Sequence, residues 1–236
     1  MNARELFSDT SSDPPVRGFL HRPETPSGDS LILTHGAGGN AQMGLLVALA
    51  EAFAGAGFAV LRCDLPFRQQ RPYGPPRPSD AVRDREGLKR AVAAMRKLFP
   101  GRLFLGGQSY GGRQASMLLA ETPIADEAST EHPEATKKPL ADGLLLLSYP
   151  LHPPGHPEKP RTQHLPKIEV PVMFVHGTRD PFGTIDEIES ARKLISARTL
   201  LLPVEGAGHD LGFKGKKKPD ALPIDVLEKF QAFFLH

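Results

Sequence analysis

One cysteine, Cys63, stands among 236 residues, so no disulfide can close within the chain and no zinc site can be built from several cysteines. A reducing compartment suits such a chain, and a cytoplasmic location is expected. An excess of charge is also missing. Lys and Arg number 29 against 27 Asp and Glu, a net charge of +2, which gives nucleic acid and anionic membrane no general electrostatic hold. Neither is expected as a partner. Residues 1–15 are polar and lack the apolar core of a secretory signal. The longest apolar stretch, 44–61, is broken by Glu51, Gly55 and Gly57 and reads as helix, turn and strand rather than as a membrane span. There is no internal repeat, and low complexity is confined to 214–218. Neither G-x-G-x-x-G nor G-x-x-x-x-G-K-[ST] occurs, which weakens a nucleotide reading of the Gly-rich loops.

What is present is enough apolar material, 39% of residues, for one sizeable core. A single domain over 1–236 is expected, with 1–15 loosely ordered and 121–142 a polar surface insertion. Short runs rich in leucine or β-branched residues, bounded by Gly or Pro, predict strands at 31–34, 58–62, 103–106, 143–148, 172–176 and 199–203, with a possible edge strand at 17–21. Helical periodicity predicts helices at 41–54, 79–98, 111–120, 184–195 and 223–234. Strand and helix alternate, so the fold class is α/β: a twisted, mostly parallel sheet of about seven to eight strands with helices on both faces. Ligands of such sheets bind outside the carboxyl ends of the strands. The proline-rich stretch 151–166, with three histidines, leaves one of those ends and is a candidate wall or cover for a site.

Gly107-Gln108-Ser109-Tyr110-Gly111 follows an apolar strand and opens an apolar helix, the context in which G-x-S-x-G carries a nucleophile. Glycines on both sides let strand and helix approach closely while the serine takes an unfavourable backbone conformation. The helix start aims its free N–H groups at the same point, and Tyr110 N–H is one candidate donor to an oxyanion. Alone, a Gly-Ser-Gly turn carries no chemistry; the strand before and helix after make the difference.

His35-Gly36-Ala37-Gly38-Gly39 ends another strand, and its small residues let backbone amides approach a substrate. Ala37 N–H is the second candidate oxyanion donor, with Gly38 beside it. His35 reads as a support for this loop rather than as a base. Asp180, just past the strand at 172–176, is the candidate acid. It would orient an imidazole and stabilise its protonated form. Helix capping near Thr184 is its plainer role, and Asp186 or Glu205 would then replace it. His209, in Glu205-Gly206-Ala207-Gly208-His209 after the last strand, is the candidate base. His176, His152, His156 and His164 compete, but only His209 completes the chain order Ser, Asp, His.

These landmarks, from His35-Gly36 to Gly208-His209, make the sequence resemble the α/β-hydrolase family, and within it the small dienelactone-hydrolase-like branch with a minimal cap. The resemblance implies an eight-stranded, mostly parallel sheet and no metal or organic cofactor. It departs from dienelactone hydrolases at the elbow, where their nucleophile is cysteine and this chain has Ser109. Cys63 ends a different strand and reads as a small buried residue. The expected activity is hydrolysis of a small ester or related acyl substrate. Thioester, peptide and perhydrolysis chemistry use the same three residues, and a catalytically dead interaction scaffold is the reading from another class. Substrate contacts are expected from Gly38, Arg71, Arg113, Tyr149 and His152. Arg68, Arg71, Arg77 and Arg113 are candidates for an anionic substrate group or are simply solvated. A homodimer would be unsurprising.

Overall fold

The computed structural model describes residues 3–121, 139–215 and 219–236. In chain order the elements are β1 (Ala3–Asp9), β2 (Val16–Arg22), β3 (Ser30–Thr34), α1 (Gly44–Gly55), β4 (Ala59–Cys63), α2 (Pro66–Gln70), α3 (Asp80–Leu98), β5 (Leu103–Gln108), α4 (Tyr110–Ala120), β6 (Gly143–Leu147), β7 (Val172–Gly177), α5 (Ile185–Arg192), β8 (Thr199–Val204) and α6 (Leu222–Phe234). All eight strands form one sheet in the order β1-β2-β4-β3-β5-β6-β7-β8. β2 pairs antiparallel with β1 and with β4, and every pairing from β4 across to β8 is parallel.

The period of two along each central strand sorts side chains into two cores. Leu103, Leu105, Leu144, Leu146, Val172 and Phe174 face one way and pack with Leu88, Val92 and Met95 of α3, Leu118 of α4 and Ile188 of α5. Phe104, Leu145, Leu147, Met173 and Val175 face the other way, under α1 and α6. There Phe230 meets Phe53 and Phe104 edge to face at 4.9 and 4.8 Å, an arrangement that aligns the positive edge of one ring with the face of the next. Strands buried on both faces read as continuous apolar runs, which is why they are visible in the sequence. Among the described residues no helix is long and apolar enough to cross a membrane.

Two elements differ from expectation. Residues 3–9, expected to be loosely ordered, form β1, held to β2 by a seven-residue antiparallel register. The five-residue helix α2 starts at Pro66, whose fixed φ and missing N–H suit a first turn, and it is too short to show a period. Most of the expected surface insertion, 122–138, lies outside the described residues. Its end is tied into the fold: Ala141 is buried and the Asp142 carboxylate accepts from Leu103 N–H and Arg96. Of the charged turn at 214–218, residues 216–218 also lie outside.

Candidate active site

The parallel strands end along one rim. β5 runs into Ser109, whose backbone (φ 50°, ψ −117°) is left-handed although it is not glycine. Sterics oppose that conformation, and close packing enforces it. A Cβ on Gly107 would lie 2.7 Å from Gly111 C and Gly112 N, and one on Gly111 would lie 2.5 Å from His35 O. Only glycine lets β5 and α4 meet so closely.

β7 delivers Asp180 and the loop after β8 delivers His209. Ser109 Oγ–H lies 2.7 Å from His209 Nε2, and His209 Nδ1–H donates to Asp180 Oδ2 at 2.8 Å. Three residues distant in sequence thus form one hydrogen-bonded chain. The Asp180 side chain is fully buried and His209 a quarter exposed. Asp180 Oδ1 accepts from Phe182 N–H at 2.9 Å, so both carboxylate oxygens are occupied. The helix-capping role belongs instead to Thr184, which forms a reciprocal box with Glu187 at the start of α5.

The base loop is fastened from three sides. Gln108, the residue before the serine, donates from Nε2 to His209 O at 3.2 Å. Leu211, left-handed at φ 52° and fully buried, plugs the turn into the core. Gly177 lies so close beneath that a Cβ there would sit 2.3 Å from Ala207 O. Among the competing histidines, His176 bonds Gly183 O through Nε2, and burial holds its pKa down. His164 bonds Ser116 Oγ and is pushed down to about 4 by burial and by the charges of Arg113 and Arg85.

The loop after β3 is set by backbone bonds. His35 Nε2 accepts from Leu65 N–H, so its proton resides on Nδ1, which donates to Gly36 O at 2.8 Å; burial keeps the ring neutral. Gly39 N–H also donates to Gly36 O. In a planar trans peptide, pinning the carbonyl of Gly36 fixes the opposite direction for the N–H of Ala37. A Cβ on Gly36 would touch Ser109 Cβ at 3.4 Å, which places this loop beside the serine. Gly38 has open space where a side chain would go.

Arg68, expected among anion-binding candidates, is buried, and its guanidinium is spent on four carbonyls: Gly39 at 2.7, Ala37 at 2.9, Gly74 at 3.0 and Arg71 at 3.1 Å. Arg71 pairs with Asp80. Tyr149 is buried, donates to Arg161 O at 2.6 Å and is raised to about 12 by that burial. His152 lies between Pro153 O and Glu187. Arg113 is one turn into α4, its N–H on Ser109 O; among the described residues its buried Nε has no partner. Cys63 is buried and its thiol is pushed up to about 12, chiefly by burial, which leaves it no thiolate at neutral pH.

Sequence reasoning misses Gln108, Phe182, Leu211 and Asp84. For three of them the role lies in a through-space partner with no local pattern. Asp84 does leave a signal, because it shares the buried stripe of α3 with Leu88, Ala91 and Met95, where a carboxylate is out of place.

An eight-stranded, mostly parallel sheet of this order, with a strained serine between strand and helix and an acid and a histidine on later strand ends, defines the α/β-hydrolase class. The model of the alpha/beta hydrolase domain family matches residues 27–231, and the chain belongs to that family. Solved structures share the whole architecture. A dienelactone hydrolase from Anabaena variabilis is similar over 99% of both chains (18% identity, TM-score 0.71). An alpha-beta serine hydrolase homologue from Coxiella burnetii is similar over 97% of this chain and 96% of its own (17%, 0.68). A serine hydrolase without lid from Xanthomonas campestris is similar over 97% and 92% (15%, 0.66). At such identities the likeness is one of fold.

Proposed function

We propose that the protein is a serine hydrolase that cleaves a small ester or related acyl substrate, with Ser109 as nucleophile, His209 as general base and Asp180 as orienting acid. The observation that carries this reading is the unbroken hydrogen-bonded chain from Ser109 Oγ through His209 to Asp180 Oδ2. In it Ser109 Oγ attacks the acyl carbonyl as His209 Nε2 takes its proton, and the ionised Asp180 stabilises the imidazolium. The carbonyl oxygen becomes an oxyanion held by Ala37 N–H and Tyr110 N–H. As the C–O bond to the leaving group breaks, His209 returns the proton to the departing alcohol. Water, deprotonated by the same imidazole, then attacks the acyl-enzyme and releases the acid. Gly38, next to Ala37, and Arg113, one turn into α4, are the proposed substrate contacts. No step calls for a cofactor, and a cytoplasmic setting fits the single buried thiol.

Labelling with a fluorophosphonate probe, together with hydrolysis of short-chain 4-nitrophenyl esters, tests the proposal. Ser109→Ala should abolish both, and His209→Ala should prevent labelling. Hydrolysis by Ser109→Ala at the parental rate would overturn it.

A further inference from the structure

One buried carboxylate touches Tyr110, on one side of the proposed oxyanion hole, and Phe67, which adjoins the arginine that holds the other side. Asp84, on α3, is fully buried, and burial raises its pKa. Its Oδ2 accepts from Tyr110 O–H at 2.7 Å, and its Oδ1 accepts from Phe67 N–H at 2.9 Å. Tyr110 is the residue whose backbone N–H is the first proposed donor. Phe67 precedes Arg68 in α2, and Arg68 holds the carbonyls of Ala37 and Gly39 on either side of Gly38. Arg68 thus grips, from α2, the loop that carries the second proposed donor: it holds the peptide that follows Ala37, while the Gly36 carbonyl, bonded by His35 and Gly39, sets the direction of Ala37 N–H. The rings of Phe67 and Tyr110 meet at right angles, 5.7 Å apart, and Phe67 lies against His35 at 5.6 Å.

A carboxylate placed on an apolar helix face has a large desolvation cost unless its hydrogen bonds repay it. An alanine or leucine at 84 would serve packing alone. The two bonds that Asp84 makes join segments far apart in sequence, the α2 turn and the first residue of α4. Oxyanion donors act through placement, and a shift of a few tenths of an ångström in either amide weakens them where the transition state carries its charge.

We infer that Asp84 is a positioning residue that aligns both amide donors of the oxyanion hole, Tyr110 directly and Ala37 through Phe67 and Arg68. The inference rests on the serine-hydrolase reading above. Asp84 does not touch substrate, so its removal acts on the transition state and spares the ground state.

The test uses the full chain with 4-nitrophenyl butyrate as substrate and an alkyl trifluoromethyl ketone as inhibitor, since the ketone's adduct with serine places an oxyanion between the two amides. Asp84→Ala should lower kcat by about 10- to 100-fold with KM within about threefold, and weaken the ketone by the same factor as kcat/KM. Tyr110→Phe, which removes one arm and keeps the ring, should show a smaller loss of the same pattern. Adding it to Asp84→Ala should cost little more. If Asp84→Ala does not fold, Tyr110→Phe decides alone. A kcat within about threefold of the parent, or a fall in kcat without a matching loss of ketone affinity, overturns the inference. Ser109→Ala in the same assay separates the two readings. Activity surviving that change refutes the nucleophile, whereas activity lost there but kept in the Asp84 and Tyr110 variants refutes only the positioning role.

Discussion

The ring of Phe182 lies against the imidazole of His209, with centroids 4.1 Å apart and planes 28° from parallel. The same residue donates its N–H to Asp180, so it serves the acid with its backbone and the base with its side chain. Stacking of this kind contributes about 1 kcal/mol, enough to keep the ring turned toward Ser109. Phe182→Ala should therefore lower kcat about fivefold, from the same 1 kcal/mol, with little change in KM. Phe182→Tyr should keep most of the rate. Steady-state kinetics on a nitrophenyl ester check both.

Gly177 offers a sharper perturbation. The atoms that an added Cβ would meet, Ala207 O and Gly208 O at 2.3 and 2.6 Å, are backbone and cannot swing aside. Gly177→Ala must push the base loop away from the rim, and a displacement of about 1 Å can cost about 100-fold in rate. Gly38→Ala is the control, for among the described residues no atom beyond its chain neighbours stands within 4 Å of its Cβ position. It should leave thermal stability unchanged and act, if at all, on KM. Melting temperatures and kcat for the two variants separate these effects.

Acid should weaken the fold through His21. This side chain is buried and accepts from Arg62 Nε at 2.9 Å. Burial, then the charges of Arg62 and Arg4, hold its pKa down from 6.5 to about 4. The folded state therefore favours the neutral ring. That stability is fully present above pH 6.5 and is lost as pH falls toward 4, by an amount on the order of 3 kcal/mol. Chemical denaturation at pH 7 and pH 5 should show the loss, and His21→Gln, which keeps an acceptor for Arg62, should reduce it. An equal pH dependence in both proteins would exclude His21 as its source.

Strands β2 to β8 are legible in the sequence because burial on one or both faces writes itself as apolar residues bounded by turn formers. β1 is not, since as an edge strand it buries little: Leu6 is 82% exposed, Phe7 is only partly buried against the core, and the hydrogen bonds to β2 that make it a strand leave no pattern in its residues. The positions of Ser109, Asp180 and His209 are legible for a local reason, each following a strand with glycine close before it. What supports them is not. Arg68 looks in sequence like a charge for a ligand, yet its guanidinium is consumed by main-chain carbonyls that only the folded chain brings near. Asp84 is the intermediate case, visible as an acid on a greasy stripe but mute about its two partners.

The left-handed twist at residue 109 has a mechanical meaning. A free peptide would unwind it, so its persistence depends on the corner between β5 and α4 staying clenched around three glycines. Reactivity at the tip of that corner and slackness in its frame are thus opposed, and whatever loosens the joint blunts the hydroxyl before it disturbs the sheet.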